Sequence, residues 1–309
     1  MNVTEFIIDT YSTGTPLVST AKRYRPSAVI EEGYILIFAH GTGFHKEHWE
    51  PIIERLYAYG GAIVEAWTID SQTHGAAATL NRDAIDEPGF TYSSYHYAEA
   101  CANLYKTHLN GTRHPVVLIG HSAGAASIAL VPSFCGKSIT QPFSALILVE
   151  PAIWPGSMIG IADSPAYKLA CVSIPRRRTN WESRDAVRKD LGRRAPWGIW
   201  DRRILDLYVE HGFEEDKEGV SLRCQLDKTR KKVPVHIVYG ERNDLFTREK
   251  QDSLLRGRKF ASVTRIPGAG HLVVQEAPDA VGDVLLRILE ELGNQRYVER
   301  EYCSYQIFR

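Results

Sequence analysis

Net charge is the first thing this chain lacks, because 37 Lys and Arg are matched by 37 Asp and Glu. No overall field is left to steer it toward nucleic acid or an anionic membrane, so its partner is sought in a pocket, as a small molecule. Paired cysteines are missing as well. The five present, Cys101, Cys135, Cys171, Cys224 and Cys303, are odd in number and scattered, with no Cys-x-x-Cys step. That pattern indicates neither a disulfide framework nor a zinc site, and it fits a reducing compartment. No apolar run approaches the ~20 residues that span a bilayer. The opening Met1-Asn2-Val3-Thr4-Glu5 has no basic and apolar regions of a secretory signal, and the closing Tyr305-Gln306-Ile307-Phe308-Arg309 is not the Ser-Lys-Leu type of peroxisomal address. Together these absences lead us to expect a soluble intracellular protein, cytoplasmic, with no nucleic-acid or membrane partner. Its 44% apolar content over 309 residues excludes wholesale disorder and allows a large core.

What is present is organised around Gly120-His121-Ser122-Ala123-Gly124, which follows the apolar run Pro115-Val116-Val117-Leu118-Ile119 and precedes the small residues Ala125, Ala126 and Ser127. The stretch reads as strand, sharp turn, helix, the nucleophile-elbow pattern in which glycines leave room for a turn that lifts a serine hydroxyl off a sheet. The continuous apolar run at residues 34–39 reads as a strand buried on both faces of a mostly parallel sheet, and residues 62–69, 145–149, 235–240 and 262–266 read as further strands. Residues 6–8 and 17–21 suggest an opening antiparallel pair. Between the runs, residues 49–59, a stretch carrying Tyr97, Cys101, Leu104 and Tyr105, and residues 281–292 have helical spacing. Strand–helix alternation predicts a doubly wound α/β fold with its site beyond the carboxyl ends of the strands. The strand pattern stops over residues 152–232, which predicts a helical cap inserted in the core. The domain reading is therefore core 1–151, cap 152–232 and core 233–309.

A serine hydroxyl needs a general base, and Ser122 finds its candidate in His271, carried after the last predicted strand by Pro267-Gly268-Ala269-Gly270. Two carboxylates follow strand ends and compete for the third place. Asp244 comes after the strand that follows the cap, but the position three residues past that strand's closing glycine is Asn243. Glu150 ends the strand after the elbow, and topology favours it. Oxyanion donors are expected from the backbone N–H groups of Thr42, in the loop His40-Gly41-Thr42-Gly43, and of Ala123. Asp70 and His74 have no third ligand nearby, so no metal is expected, and the chemistry requires no cofactor.

These residues together resemble the α/β-hydrolase superfamily. The likeness rests on His40-Gly41-Thr42-Gly43-Phe44-His45-Lys46-Glu47-His48-Trp49, on Asp70 with His74-Gly75, on the elbow, and on Gly268-Ala269-Gly270-His271. More narrowly, Phe44-His45-Lys46-Glu47 and Val149-Glu150-Pro151 are similar to the fungal toxin-biosynthesis hydrolases, which include peroxisomal acyl-CoA hydrolases of polyketide pathways. The resemblance implies an α/β-hydrolase fold and a serine hydrolase acting on an ester, lactone or thioester of an apolar acyl group, with polyketide-derived acyl-CoA among the candidates. Some relatives of this branch take their acid where Glu150 lies, which supports that choice. The same triad can also serve acyl transfer or cyclisation, and a member that lost turnover would be a ligand-binding protein.

Two signals in the insertion carry further expectations. Trp154, Trp181, Trp197 and Trp200 would form an apolar roof over the site or else the insertion's own small core. Residues 176–232 hold 16 Lys and Arg against 11 Asp and Glu, including Arg176-Arg177-Arg178, Arg193-Arg194 and Lys231-Lys232. Such runs usually form a solvated face, and the sharper expectation is a site for the phosphates of coenzyme A.

Overall fold

The computed structural model describes residues 1–10, 16–60, 62–87, 90, 92–136, 143–153, 178, 180–216, 219–222, 235–255 and 260–306. Eight strands form one sheet: β1 (Asn2–Thr10), β2 (Leu17–Arg25), β3 (Tyr34–Ala39), β4 (Ile63–Ile69), β5 (Val116–His121), β6 (Phe143–Val149), β9 (Val235–Gly240) and β10 (Ser262–Ile266). Their spatial order is β1-β2-β4-β3-β5-β6-β9-β10. Strands β1 and β2 pair antiparallel, and β2 joins β4 antiparallel. All later pairings are parallel. This is the mostly parallel α/β sheet expected from the strand–helix alternation, and its order fits the α/β-hydrolase fold that the resemblance implies.

Every residue of β3 and of β5 is buried, as continuous apolar runs require when helices cover both faces. Alternate residues feed two separate cores. Ile35, Ile37, Val116, Leu118, Leu146 and Leu148 pack on the helix α2 (Ser94–Leu104) side, with Tyr97, Ala98 and Cys101. Leu36, Phe38, Val117, Ile119, Ile147 and Val149 face the other side, against Trp49, Ile52, Ile53 and Leu56 and against Val281, Leu285 and Ile288. The first group belongs to α1 (Glu50–Ala58) and the turn before it, the second to the closing helix Pro278–Gln306, which runs longer than its apolar spacing suggested. Each large aliphatic side chain so buried contributes roughly 1.5–3 kcal/mol.

The sequence reading needs one correction between β6 and β9. The inserted segment holds the helices α4 (Arg184–Leu191) and α5 (Arg202–His211), but also an antiparallel hairpin, β7 (Phe213–Asp216) with β8 (Gly219–Leu222). The first strand carries Glu214, Glu215 and Asp216 and shows no apolar alternation to read, and the second is only four residues long. The described part has a core of its own, with Trp181, Val187, Leu191, Trp200, Ile204, Tyr208 and Phe213 packed together and Trp197 against them. Trp154, Arg176, Arg177, Lys231 and Lys232 lie outside the described residues. Of the basic run, Arg178 donates to the Asn180 carbonyl at 2.7 Å and lies over the Trp181 ring, and Arg194 pairs with Asp190 at 2.8 Å. Among the described residues, no helix is long and apolar enough to cross a membrane.

Candidate active site

Loops at the carboxyl ends of the parallel strands converge on Ser122. The elbow forms because two glycines allow it. A Cβ on Gly120 would come 2.6 Å from the Gly124 carbonyl oxygen, and one on Gly124 would collide with the carbonyl oxygens of Ala39 and His40. Between them Ser122 adopts φ 51°, ψ −115°, and the short helix α3 (Ala123–Ile128) starts at once. The strained residue is held by its neighbours, with Ser122 N–H donating to the Val149 carbonyl at 2.9 Å and Ala152 N–H donating to the Ser122 carbonyl at 3.2 Å.

The Ser122 hydroxyl lies 3.1 Å from His271 Nε2, and His271 Nδ1 lies 3.2 Å from Glu150 Oε2. Glu150 is buried, and its other oxygen accepts from Gly240 N–H at 2.7 Å and from Gln251 Nε2 at 3.3 Å. Asp244 takes a different position. Its Oδ1 accepts the backbone N–H of His271 at 2.9 Å, and its Oδ2 faces Arg242, which bridges to Glu276. Glu276 in turn accepts from Gly270 N–H at 3.0 Å. The imidazole is thus met by Glu150 and its supporting loop by Asp244. His121 Nε2–H donates to the His271 carbonyl at 2.9 Å, and the Phe246 ring packs edge-on against the imidazole. Burial, then the nearby His271, lowers the His121 ring to about 3, so it stays neutral.

Thr42 and Ala123 line one pocket, against the N-terminus of α3. The loop carrying Thr42 is braced by two buried imidazoles. His40 Nδ1–H donates to the Gly41 carbonyl at 2.8 Å while its Nε2 accepts from Ser71 N–H at 3.1 Å. His74 Nε2 accepts from Gly43 N–H at 3.0 Å, which leaves Nδ1–H to donate to Ser71 Oγ at 2.7 Å. Both rings must be neutral to accept these bonds, and burial lowers His40 to about 4 and His74 well below its ordinary value. A Cβ on Gly41 would come 2.9 Å from His121 Nδ1, which explains a glycine there.

Sequence reasoning missed the charged anchor below this loop. His45, Lys46, Glu47 and His48 entered the sequence reading only as part of the family likeness, with no structural role, and all four are buried. Lys46 Nζ meets Asp70 Oδ2 at 2.9 Å and Glu47 Oε1 at 3.0 Å, and Lys46 N–H donates to Asp70 Oδ1 at 2.8 Å. His45 Nδ1–H donates to Glu47 Oε2 at 2.9 Å. Burial disfavours the Lys46 ammonium, but the Asp70 and Glu47 carboxylates outweigh it and hold the group above its ordinary value. Burial likewise disfavours the Glu47 carboxylate, and the His45 hydrogen bond with the Lys46 charge holds it well below the usual range. Asp70 also accepts from Thr20 and from Ala76 N–H, so its lone pairs serve the loops around it. Among the described residues, no group of three or more His, Cys, Asp or Glu is arranged to hold a metal ion.

Residues 36–284 match the profile of the Alpha/beta hydrolase family. The chain is 32% identical over 146 residues to the Abhydrolase domain-containing protein ACTT2-1 of Alternaria alternata, a match that covers 47% of this chain and 48% of that protein. It therefore spans about half the length of that relative. To the Type I acyl-CoA thioesterase mpaH of Penicillium roqueforti it is 24% identical over 271 residues, covering 81% of this chain and 58% of that one. Among solved structures, the peroxisomal alpha-beta-hydrolase Lpx1 of Saccharomyces cerevisiae superposes with a TM-score of 0.71 at 18% identity, over 96% of this chain and 88% of that chain.

Proposed function

The chain belongs to the alpha/beta hydrolase family, and we propose that it is a serine hydrolase cleaving an ester, lactone or thioester of an acyl group. Ser122 Oγ attacks the carbonyl carbon while His271 Nε2 takes the hydroxyl proton. Glu150 holds the imidazole in the tautomer that accepts at Nε2 and offsets the positive charge that forms on it. Backbone N–H groups of Thr42 and Ala123 receive the oxyanion. His271 then returns the proton to the departing oxygen or sulfur, and water releases the acyl group by the same path in reverse. Residues 152–232 act as a cap over the site.

The observation that carries this reading is the unbroken run of hydrogen-bonding atoms from Ser122 Oγ through His271 to Glu150, at 3.1 and 3.2 Å, next to a serine with a positive φ. The thioester option draws support from the relative named as an acyl-CoA thioesterase. A fluorophosphonate probe tests the reading. Labelling of the folded chain that disappears in Ser122→Ala is the expected result, and a folded parent that takes no label overturns it.

A further inference from the structure

The pocket lined by Thr42 and Ala123 is also bounded by Ser71, His74, Tyr92 and Ser94, and the enclosed room in it is that of about one water molecule. It therefore takes one small substituent and not a chain. Its lining sets hydroxyl and imidazole groups among a larger apolar surface and holds no lysine, arginine, aspartate or glutamate. Ser94, at 2% exposure, has a buried hydroxyl without a hydrogen-bond partner among the described residues. Ser71 Oγ accepts from His74 Nδ1–H because Gly43 N–H occupies the other ring nitrogen, so the Ser71 hydroxyl proton remains to be donated.

Resting on the serine-hydrolase reading above, we infer that this pocket is an acyl-side subsite for a neutral oxygen substituent, a hydroxyl or keto group close to the reacting carbonyl. Three physical arguments select that chemistry. A plain alkyl chain would leave the Ser94 hydroxyl without a partner and the Ser71 hydroxyl proton without an acceptor, which costs more than the hydrogen bonds would contribute. A carboxylate would enter a buried space with no cation, between two imidazoles held neutral. The leaving group must stay within reach of the acid that protonates it, and His271 does not line this pocket, so the acyl side occupies it.

The test compares N-acetylcysteamine thioesters of butyrate, 2-hydroxybutyrate and 3-hydroxybutyrate with the full chain. The parent should favour one hydroxy thioester over butyrate by at least about fivefold in kcat/KM, and Ser94→Ala should bring that ratio close to one. Both substrates meet the same sample, so the ratio does not depend on how much of the variant folds. A parent ratio near one, or a ratio that Ser94→Ala leaves unchanged, overturns the subsite and leaves the role of Ser122 standing. Turnover that survives Ser122→Ala instead overturns the hydrolase reading on which the subsite rests.

Discussion

Ser122 and Glu150 sit at the carboxyl ends of neighbouring parallel strands and share an unusual backbone: φ is 51° at one and 45° at the other. Among the described residues no other non-glycine has a positive φ. Each such residue costs on the order of 1–3 kcal/mol and persists where its surroundings over-determine it. Here the surroundings are the Ser122 N–H bond to the Val149 carbonyl and the Glu150 N–H bond to the Val238 carbonyl, at 2.9 and 2.7 Å. The strain lifts both side chains off the sheet toward the same imidazole.

The two carboxylates near His271 separate by mutation. Glu150→Gln keeps the shape but removes the charge facing Nδ1, and kcat should fall roughly 10³- to 10⁴-fold. Asp244→Asn retains an oxygen for the His271 backbone N–H and should stay within about threefold of the parent. Steady-state kinetics on one ester decides. A larger loss in Asp244→Asn than in Glu150→Gln would assign the acid to Asp244.

Lys46 is matched to two buried carboxylates, so Lys46→Met leaves Asp70 without its lysine partner and Glu47 with Lys22 alone. Breaking a buried pair from one side costs about 3–5 kcal/mol. Urea denaturation should show that loss, and the double variant Lys46→Met with Asp70→Asn should recover part of it. A single-variant loss under about 1 kcal/mol would mean that water reaches the cluster.

Gly124 lies against the carbonyls of Ala39 and His40, the junction of β3 with the loop bearing Thr42. Gly124→Ala should lower stability by about 1–3 kcal/mol through overpacking and move the loop, so that activity falls even in the folded fraction. The denaturation midpoint read beside active-site titration separates the two effects.

Acid should loosen the fold before it protonates its carboxylates. His40 is lowered to about 4 and His121 to about 3, both chiefly by burial, against an unfolded value of 6.5. A lowered histidine stabilises the fold fully above pH 6.5, and that stability is lost as pH falls from 6.5 toward the folded value. The slope is up to ~1.4 kcal/mol per pH unit for each ring. Denaturation midpoints should therefore drop steadily from pH 7 to pH 5. A flat profile there would show that these rings are not held neutral.

Much of the fold is legible in the chain because central parallel strands buried on both faces need apolar runs, as β3 and β5 show, while β10 at the sheet edge, Ser262-Val263-Thr264-Arg265-Ile266, is marked only by its β-branched residues. The hairpin β7–β8 is not legible, since Glu214, Glu215 and Asp216 read as a solvated polar stretch. Ser122 and His271 announce themselves through the glycines that flank them. Glu150 and Asp244 look alike in sequence, each a carboxylate just past a strand, because linear spacing does not distinguish a side chain that meets an imidazole from one that meets a backbone N–H. The buried run His45 to His48 is hidden for another reason. Its charges look fit for water until Asp70, 24 residues past Lys46, is brought against it by the pairing of β3 with β4.

The inserted segment touches both sides of the site through one short stretch. Trp200 and Tyr208 pack on Phe44 beside the loop bearing Thr42, Leu272 packs on the same core next to His271, and Asp201 N–H donates to the Gln275 carbonyl at 2.9 Å. One short stretch of the insertion therefore braces the loop bearing Thr42 and the loop bearing His271 at once. A substitution there removes support from both loops together, whatever its distance from Ser122 in the sequence.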